Sequence, residues 1–310
     1  MNVVAAVVVP VFGTVLLGFG VARAGIFTRE TGVGLTRFMY YLAIPAMLFR
    51  GLAGAVLPPQ VPWAYLLAFY LPSLAVFWLA LRFAQSRLGW PRREAGMAGM
   101  SACYANIVLL GFPLSHAAFG QAGQLPLFIL IATQSTLLFP LATYALEIYG
   151  HERAGQPLFY LRAAGRLALN PVIIALGLGF VANLAAVSVP ATLARMLELL
   201  SAAGPGCALV ALGINLAQFG LGGGWRDVLA LVLLKNLICP LAVWGLGLAL
   251  ELEPTWLATA VLMAAMPAGI NVFIFASQYD IRQDTVAKTI VVSTLTSCAV
   301  ATVLLAWFMP

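Results

Sequence analysis

Two apolar stretches of this sequence carry polar and helix-breaking residues where a membrane-spanning helix is usually most regular. They cover residues 102–120 and 263–279, and the residues concerned are Asn106, Gly111, Pro113, Pro267, Gly269 and Asn271. Proline removes a backbone donor and clashes with the preceding turn. In lipid, the freed backbone groups need partners from protein or from a water-filled cavity. One such stretch in each half of the chain predicts a transporter binding site near the bilayer midplane.

The chemistry expected at this site is anion binding. We expect Pro113 and Pro267 each to occupy the first turn of the half-helix that follows, where proline is favoured. The N–H groups at that end have no helical partner and carry a partial positive charge, which suits an anion. The amides of Asn106 and Asn271 could bind a carboxylate and release it without leaving a buried charge. The alternative is that both asparagines only satisfy the interrupted backbone.

Four other residues are candidates for the lining of the site. Gln134 lies midway along the fifth apolar span, where it either faces the site or bonds a neighbouring helix. His116 either lines the site or packs, and Pro45 is a further lining candidate. Lys235 either snorkels to the interface or attracts anions from a place near the cavity. Neither stretch has a carboxylate beside its break, so the sequence offers no obvious proton carrier and no charged sodium site.

The composition is that of a membrane protein. Of 310 residues, 63% are hydrophobic and 8% are charged, whereas about a quarter of the residues in a soluble domain are charged. The net charge of +6 comes from arginines in short loops, so nucleic-acid binding is not expected. The four cysteines lie in apolar segments without paired spacing, which disfavours a disulfide or metal framework. The sequence has no Walker, HExxH or GxSxG motif, so we expect neither an enzyme nor a cofactor.

The expected fold is an all-α polytopic membrane protein with ten transmembrane helices. A bilayer core takes about 20 apolar residues per helix. That measure gives ten spans: Val3–Ala22, Val33–Gly54, Trp63–Phe83, Ala95–Ala118, Gln124–Ile148, Leu167–Val187, Leu193–Phe219, Val228–Leu250, Trp256–Gln278 and Val286–Phe308.

Positive charge is concentrated in alternate loops. Thirteen of the 16 Lys and Arg residues lie in one set of loops, while the opposite loops and the termini hold only Arg50 and Arg195. Cytoplasmic loops are the ones enriched in Lys and Arg. Both termini are therefore expected outside the cytoplasm, in a bacterial inner membrane.

The prolines suggest an inverted repeat. Three pairs have similar separations: Pro10 and Pro171 (161 residues), Pro45 and Pro205 (160 residues), and Pro113 and Pro267 (154 residues). Five spans per half is an odd number, so the second half enters from the opposite side. The expected organisation is a first five-helix repeat over 1–148, a cytoplasmic connecting loop over 149–166 and a second, inverted repeat over 167–310. Chance is the alternative, because proline and glycine are frequent in membrane helices.

Three motifs resemble those of the auxin efflux carrier family, and the likeness covers essentially the whole chain. They are Leu35-x-Arg37-Phe38 with Ile44-Pro45, then Gly111-Phe112-Pro113-Leu114 with Phe119-Gly120, and Pro267-x-Gly269-Ile270-x-x-Phe273-x-Phe275-Ala276-x-x-Tyr279. The last is the most specific. The resemblance implies ten helices in two inverted five-helix repeats, with broken crossing helices 4 and 9. It also implies a scaffold of helices 1, 2, 6 and 7, which often forms a homodimer, and a moving transport part of helices 3–5 and 8–10.

The family's substrate site lies at the helix crossing, near a glutamine of helix five that Gln134 matches. The chain departs from plant members because it lacks their long central cytoplasmic loop and has His116 where they tend to have asparagine. These departures argue against auxin itself. The bacterial members of the family are associated with malate, malonate and similar acids, so the resemblance implies a small carboxylate.

The leading interpretation is a secondary active or facilitative transporter of small organic anions that works by elevator-type alternating access in the lipid bilayer. One alternative is a sodium-coupled bile-acid-type symporter, which shares the broken-helix plan, although the break in the ninth span lacks acidic residues. Another is a non-transporting receptor or channel-like protein, although the sequence shows no soluble signalling domain.

Overall fold

The computed structural model describes residues 3–57, 62–150, 171–187, 189–219 and 224–309. Helices make up most of this part of the chain. The α-helices are α1 (Val3–Arg23), α2 (Arg29–Phe38), α3 (Ile44–Ala53), α4 (Trp63–Arg87), α5 (Arg92–Cys103), α6 (Phe112–Phe119), α7 (Gln124–Gly150), α8 (Pro171–Leu184), α9 (Ala191–Ala217), α10 (Trp225–Leu233), α11 (Cys239–Ala249), α12 (Pro254–Ala264), α13 (Ile270–Tyr279) and α14 (Gln283–Phe308). Three π-helical turns join some of them: π1 (Met39–Ala43), π2 (Ile107–Gly111) and π3 (Leu234–Ile238).

Six helical stretches in the described residues are long and apolar enough to cross a membrane. They are Ala5–Arg23, Arg29–Ala53, Trp63–Arg87, Ala191–Ala217, Trp225–Ala249 and Gln283–Phe308. Shorter apolar helices occupy Ile107–Phe119, Gln124–Gln134, Pro171–Leu184 and Pro254–Ala264. These features confirm an all-α polytopic membrane protein. Of the connecting loop expected over 149–166, the part from residue 151 onwards lies outside the described residues.

Each π-helical turn leads into an α-helix whose second residue is proline: Pro45, Pro113 or Pro240. Proline clashes with the carbonyl four residues earlier and has no N–H to donate. A π-helical turn, whose N–H groups bond five residues back, is one way in which membrane helices accommodate it. In π2 the N–H of Gly111 donates to the carbonyl oxygen of Asn106 (3.0 Å). The expectation of a break at Gly111 and Pro113 is therefore wrong, because helical structure continues through both.

The helical path is interrupted elsewhere. Residues 104–106 separate α5 from π2, and residues 265–269 separate α12 from α13. We refer to residues 104–106 as link 1 and to residues 267–269 as link 2. The backbone is extended at Tyr104 (φ −77°, ψ 109°) and at Gly269 (φ −72°, ψ 146°). Pro267 lies in link 2, before the first turn of α13, so the expected position of Pro267 inside that turn is also wrong.

Helix packing is closest within two groups of helices. α1 packs along α9, and α3 packs against α8, whereas α4 packs against both α5 and α11. A Cβ atom on Gly213 would lie 2.1 Å from the carbonyl oxygen of Val15, and one on Gly18 would lie 2.5 Å from that of Val210. Small residues at such contacts allow helix backbones in a membrane to approach. The two links lie with the second group, where Ala105 and Ala268 are almost completely buried.

Candidate functional site

The two links run antiparallel and bond to each other through their backbones. The N–H of Asn106 donates to the carbonyl oxygen of Pro267 (2.8 Å), and the N–H of Gly269 donates to that of Tyr104 (3.0 Å). These bonds flank the bridged pair of Ala105 and Ala268. Each link therefore donates one hydrogen bond to the other link and accepts one from it. The two links form a short two-stranded ribbon, and the helices π2 and α13 start from it.

The outer edges of this ribbon are satisfied by side chains of α7 and α14. Gln134 of α7 donates from Nε2 to the carbonyl oxygen of Ala105 (2.8 Å) and accepts the Ala105 N–H at Oε1 (3.3 Å). Ser293 of α14 accepts the Ala268 N–H at Oγ (3.1 Å). Buried backbone groups in an apolar interior cost free energy when unpaired, so these bonds stabilise the interruptions. Gln134 thus lies beside the crossing, where its amide is committed to Ala105.

The C-terminal end of α12 is held by two polar side chains of π3. Lys235 donates from Nζ to the carbonyl oxygen of Ala264 (2.6 Å). Asn236 donates from Nδ2 to the carbonyl oxygens of Ala265 and Ser293 (both 3.2 Å). Lys235 is 0% exposed, so it does not snorkel. The amine instead satisfies a helix end whose carbonyls lack helical partners.

In the described part of the chain, the side-chain Nδ2 of Asn106 is a buried donor without an acceptor. It caps π2, where its Oδ1 accepts the N–H of Leu109 (3.3 Å). A backbone N–H can only donate, so this bond fixes which end of the amide is the oxygen. The side chain is 6% exposed, and within the described part of the chain its Nδ2 has no hydrogen-bond partner. Buried amide donors without a partner are rare, which makes this atom a candidate ligand contact.

Asn271 is held by the phenol of link 1. It lies in the first turn of α13, is exposed, and donates from Nδ2 to the hydroxyl oxygen of Tyr104 (3.1 Å). Tyr104 is 3% exposed, and a Cβ atom on Gly269 would lie 2.9 Å from its ring. Glycine at position 269 thus allows the tyrosine ring to lie directly against link 2.

The remaining predicted site residues lie outside the links. Gly111 packs against α12, since a Cβ atom there would lie 2.7 Å from Sδ of Met263. His116 in α6 is exposed, bonds at Nδ1 to Nε2 of Gln124 (3.3 Å) and stacks on Phe112. Pro113 and Pro45 lie in the first turns of α6 and α3.

Sequence reasoning missed three residues that build the site: Tyr104, Asn236 and Ser293. Tyr104 and Asn106 flank one residue of an extended link, so their side chains leave the same face. Asn236 follows Lys235 inside an apolar span, and this uncommon polar pair is a signal that the sequence does contain. Ser293 has no such signal, because serine is ordinary in membrane helices.

Comparison with known proteins gives a match over most of the chain. The profile of a family described as "Membrane transport protein" matches residues 3–153 and 159–305. A Rhizobium meliloti (strain 1021) protein named "Putative malonate transporter" is 28% identical over 306 residues, covering 98% of this chain and 96% of that protein. "Auxin efflux carrier component 8" of Arabidopsis thaliana is 22% identical, covering 91% of each chain. An "Uncharacterized transporter" of Methanothermobacter thermautotrophicus is 27% identical, covering 94% of this chain and 93% of that protein.

Proposed function

Because this chain belongs to the membrane transport protein family that includes auxin efflux carriers, we propose that it carries small organic anions across the bilayer. The family is one of transporters and not of enzymes. The relative named as a malonate transporter makes a mono- or dicarboxylate, such as malonate or malate, the first class to test. Transport is secondary active or facilitative, by elevator-type alternating access.

One observation carries the proposed site: the unpartnered amide donor of Asn106, buried at a ribbon from which two helices start. A helix N-terminus presents N–H groups and roughly half a positive charge, so the starts of π2 and α13 together offer about one charge. A carboxylate there would accept from Nδ2 of Asn106 and from the first N–H groups of both helices. We assign Asn106, Gly111, Pro113, Gln134, Pro267, Gly269 and Asn271 to the site or its framework.

The architecture proposed is ten spans in two inverted five-helix repeats, with the links in spans four and nine. The local two-fold bonding of the two links supports this symmetry. The packing of α1 along α9 and of α3 against α8 supports a scaffold of spans 1, 2, 6 and 7. This scaffold is also where a homodimer would form, while spans 3–5 and 8–10 move with the substrate.

The proposal predicts that Asn106→Ala weakens malonate binding by purified protein, measured by calorimetry. A hydrogen bond to a charged group contributes about 1.5–3 kcal/mol, which corresponds to roughly 10- to 150-fold in Kd. Asn215→Ala is the matched control, because Asn215 donates to Thr36 Oγ1 (3.1 Å) in α2, away from the links. Parent-like affinity in folded Asn106→Ala would show that the crossing is not the site.

Uptake of radiolabelled malonate into proteoliposomes tests transport itself. We expect uptake that saturates with malonate concentration. Uptake that requires a sodium gradient would favour the sodium-coupled symporter. A unitary conductance in planar bilayers would favour a channel and overturn the carrier.

A further inference from the structure

The side-chain amides of the two asparagines of the site are held so that they offer different atoms to a ligand. Asn106 uses its oxygen to accept from the N–H of Leu109, so it offers a donor, Nδ2. Asn271 uses its Nδ2 to donate to the hydroxyl of Tyr104, so it offers an acceptor, Oδ1. Within the described part of the chain, Oδ1 of Asn271 has no protein donor. A ligand that meets both amides therefore encounters one donor and one acceptor.

Both amides are connected to link 1, because Asn106 belongs to it and Asn271 bonds to its Tyr104. Tyr104 and Asn106 leave the same face of link 1, because they are two residues apart in an extended segment. The hydroxyl of Tyr104 carries the amide of Asn271 to that face. The positive charge offered by the two helical N-termini is about one unit. Nζ of Lys235 is bonded to the carbonyl oxygen of Ala264, so Lys235 is not placed to pair with a second carboxylate.

We infer that the ligand class is a singly charged organic acid that carries, besides its carboxylate, a second group with a hydrogen to donate. A hydroxy acid, an amide acid or a half-protonated dicarboxylate, such as the singly protonated form of malonate, fits. A simple monocarboxylate and a fully ionised dicarboxylate lack the second donor and should bind more weakly. This inference rests on the proposed function. The carboxylate accepts from Asn106 Nδ2 and the helical N–H groups, while the second group donates to Asn271 Oδ1.

Tyr104 is then a positioning residue for selectivity. Its hydroxyl oxygen accepts a hydrogen bond from Nδ2 of Asn271 and thereby sets which atom of that amide meets the ligand. Without the hydroxyl, the amide of the exposed Asn271 can rotate and present Nδ2 instead. The site would then lose its preference for a donor on the ligand.

Two probes of similar size separate the possibilities. Malonamate pairs a carboxylate with an amide that can donate, and monomethyl malonate pairs a carboxylate with an ester that cannot. Both carry one negative charge at neutral pH. In calorimetry with the purified full chain, we expect malonamate to bind about tenfold or more tightly than the ester, because the ester leaves an amide oxygen unpaired.

Equal affinities, or tighter binding of the ester, would overturn the inference and leave organic-anion binding intact. Binding of malonate without binding of malonamate would also overturn it, since the site would then need a second charge. If malonate, malonamate and the ester all fail to bind, the proposed function fails as well.

Tyr104→Phe tests the positioning role. We expect its affinity ratio between malonamate and the ester to fall towards one, with binding of the ester retained or improved. Tyr65→Phe is the control, because Tyr65 is also buried and donates one hydrogen bond, to the carbonyl oxygen of Pro126 (3.1 Å). It should keep the parent ratio. A parent ratio in folded Tyr104→Phe would show that the phenol only packs, and the ratio in the unmodified protein tests the ligand class even if that variant does not fold.

Discussion

Lys235 shows how one buried side chain can replace the hydrogen bonds that a helix loses at its end. The last carbonyls of α12 face a link instead of a further turn, and Lys235 meets the one at Ala264. The ammonium form would also suit the negative end of the α12 dipole. A lysine at this depth therefore contributes to the framework of the site, and its contact with a backbone oxygen distinguishes it from a free attractor of anions.

We expect Lys235→Met to lower the melting temperature of the purified protein. Methionine keeps the apolar stem but leaves the Ala264 carbonyl unpaired, which costs about 1–3 kcal/mol. Arg195→Met is the control, because the Arg195–Glu198 ion pair is exposed and such pairs contribute little. An unchanged melting temperature in Lys235→Met, followed by differential scanning fluorimetry, would contradict the capping role.

At the same scale, the polar residues inside apolar spans could be identified from the sequence, whereas their hydrogen-bond partners could not. Asn106, Asn271 and Gln134 stand out because polar residues in apolar spans are costly. Their partners were not predictable, because the bond of Gln134 to Ala105 joins residues on different helices. Only the three-dimensional register of α7 against link 1 reveals it.

At the scale of elements, proline did not mark the interruptions in the way expected. Pro113 follows a π-helical turn, which accommodates its missing N–H while the helix continues. The interruption lies at link 1, which contains no proline, whereas link 2 contains Pro267. Helix bounds were easier to predict, since apolar length and loop composition set them; the third span was expected at Trp63–Phe83 and is observed at Trp63–Arg87.

The backbone groups of the links depend on side chains of α7 and α14 for their hydrogen bonds. This dependence predicts which of two variants lowers the melting temperature more. Gln134→Leu removes the partners of both the N–H and the carbonyl of Ala105, whereas Ser293→Ala removes one partner of Ala268. We expect both variants to lower the melting temperature, and Gln134→Leu to lower it more. Each unpaired buried group costs about 1–3 kcal/mol. A larger loss in Ser293→Ala would mean that link 1 does not rely on α7.

At the scale of the whole molecule, one arginine joins segments from both halves of the chain. Arg282, between α13 and α14, donates from Nε to Glu94 at the start of α5. Its Nη1 lies 3.8 Å from Oδ2 of Asp227 at the start of α10. The guanidinium also lies over the ring of Trp90, at 4.6 Å from the centroid, and Trp90 donates to Asp227 (2.7 Å). The ends of α4 and α10 are tied further by Arg226, which donates to the carbonyl oxygen of Arg87 (3.0 Å).

These contacts place three loops that carry Lys or Arg on one side of the protein, and the charge bias of membrane proteins leads us to expect that side in the cytoplasm. α14 begins beside Arg282 and continues for 26 residues to Phe308. At 1.5 Å per residue it is roughly 40 Å long, which exceeds a hydrocarbon core of about 30 Å. We therefore expect its C-terminal end on the opposite side, outside the cytoplasm.

We accordingly expect a green fluorescent protein fused after Met309 to be dark and alkaline phosphatase fused there to be active. Fusions that end at Gly89, between α4 and α5, should behave in the opposite way, because that residue lies one position before Trp90 of the Arg282 contacts. The fusions after Met309 and at Gly89 serve as controls for each other. A fusion that is not expressed would lose the signals of both reporters at that site, whereas a true orientation gives opposite signals at the two sites. A bright fluorescent fusion after Met309 with active phosphatase at Gly89 would reverse the orientation.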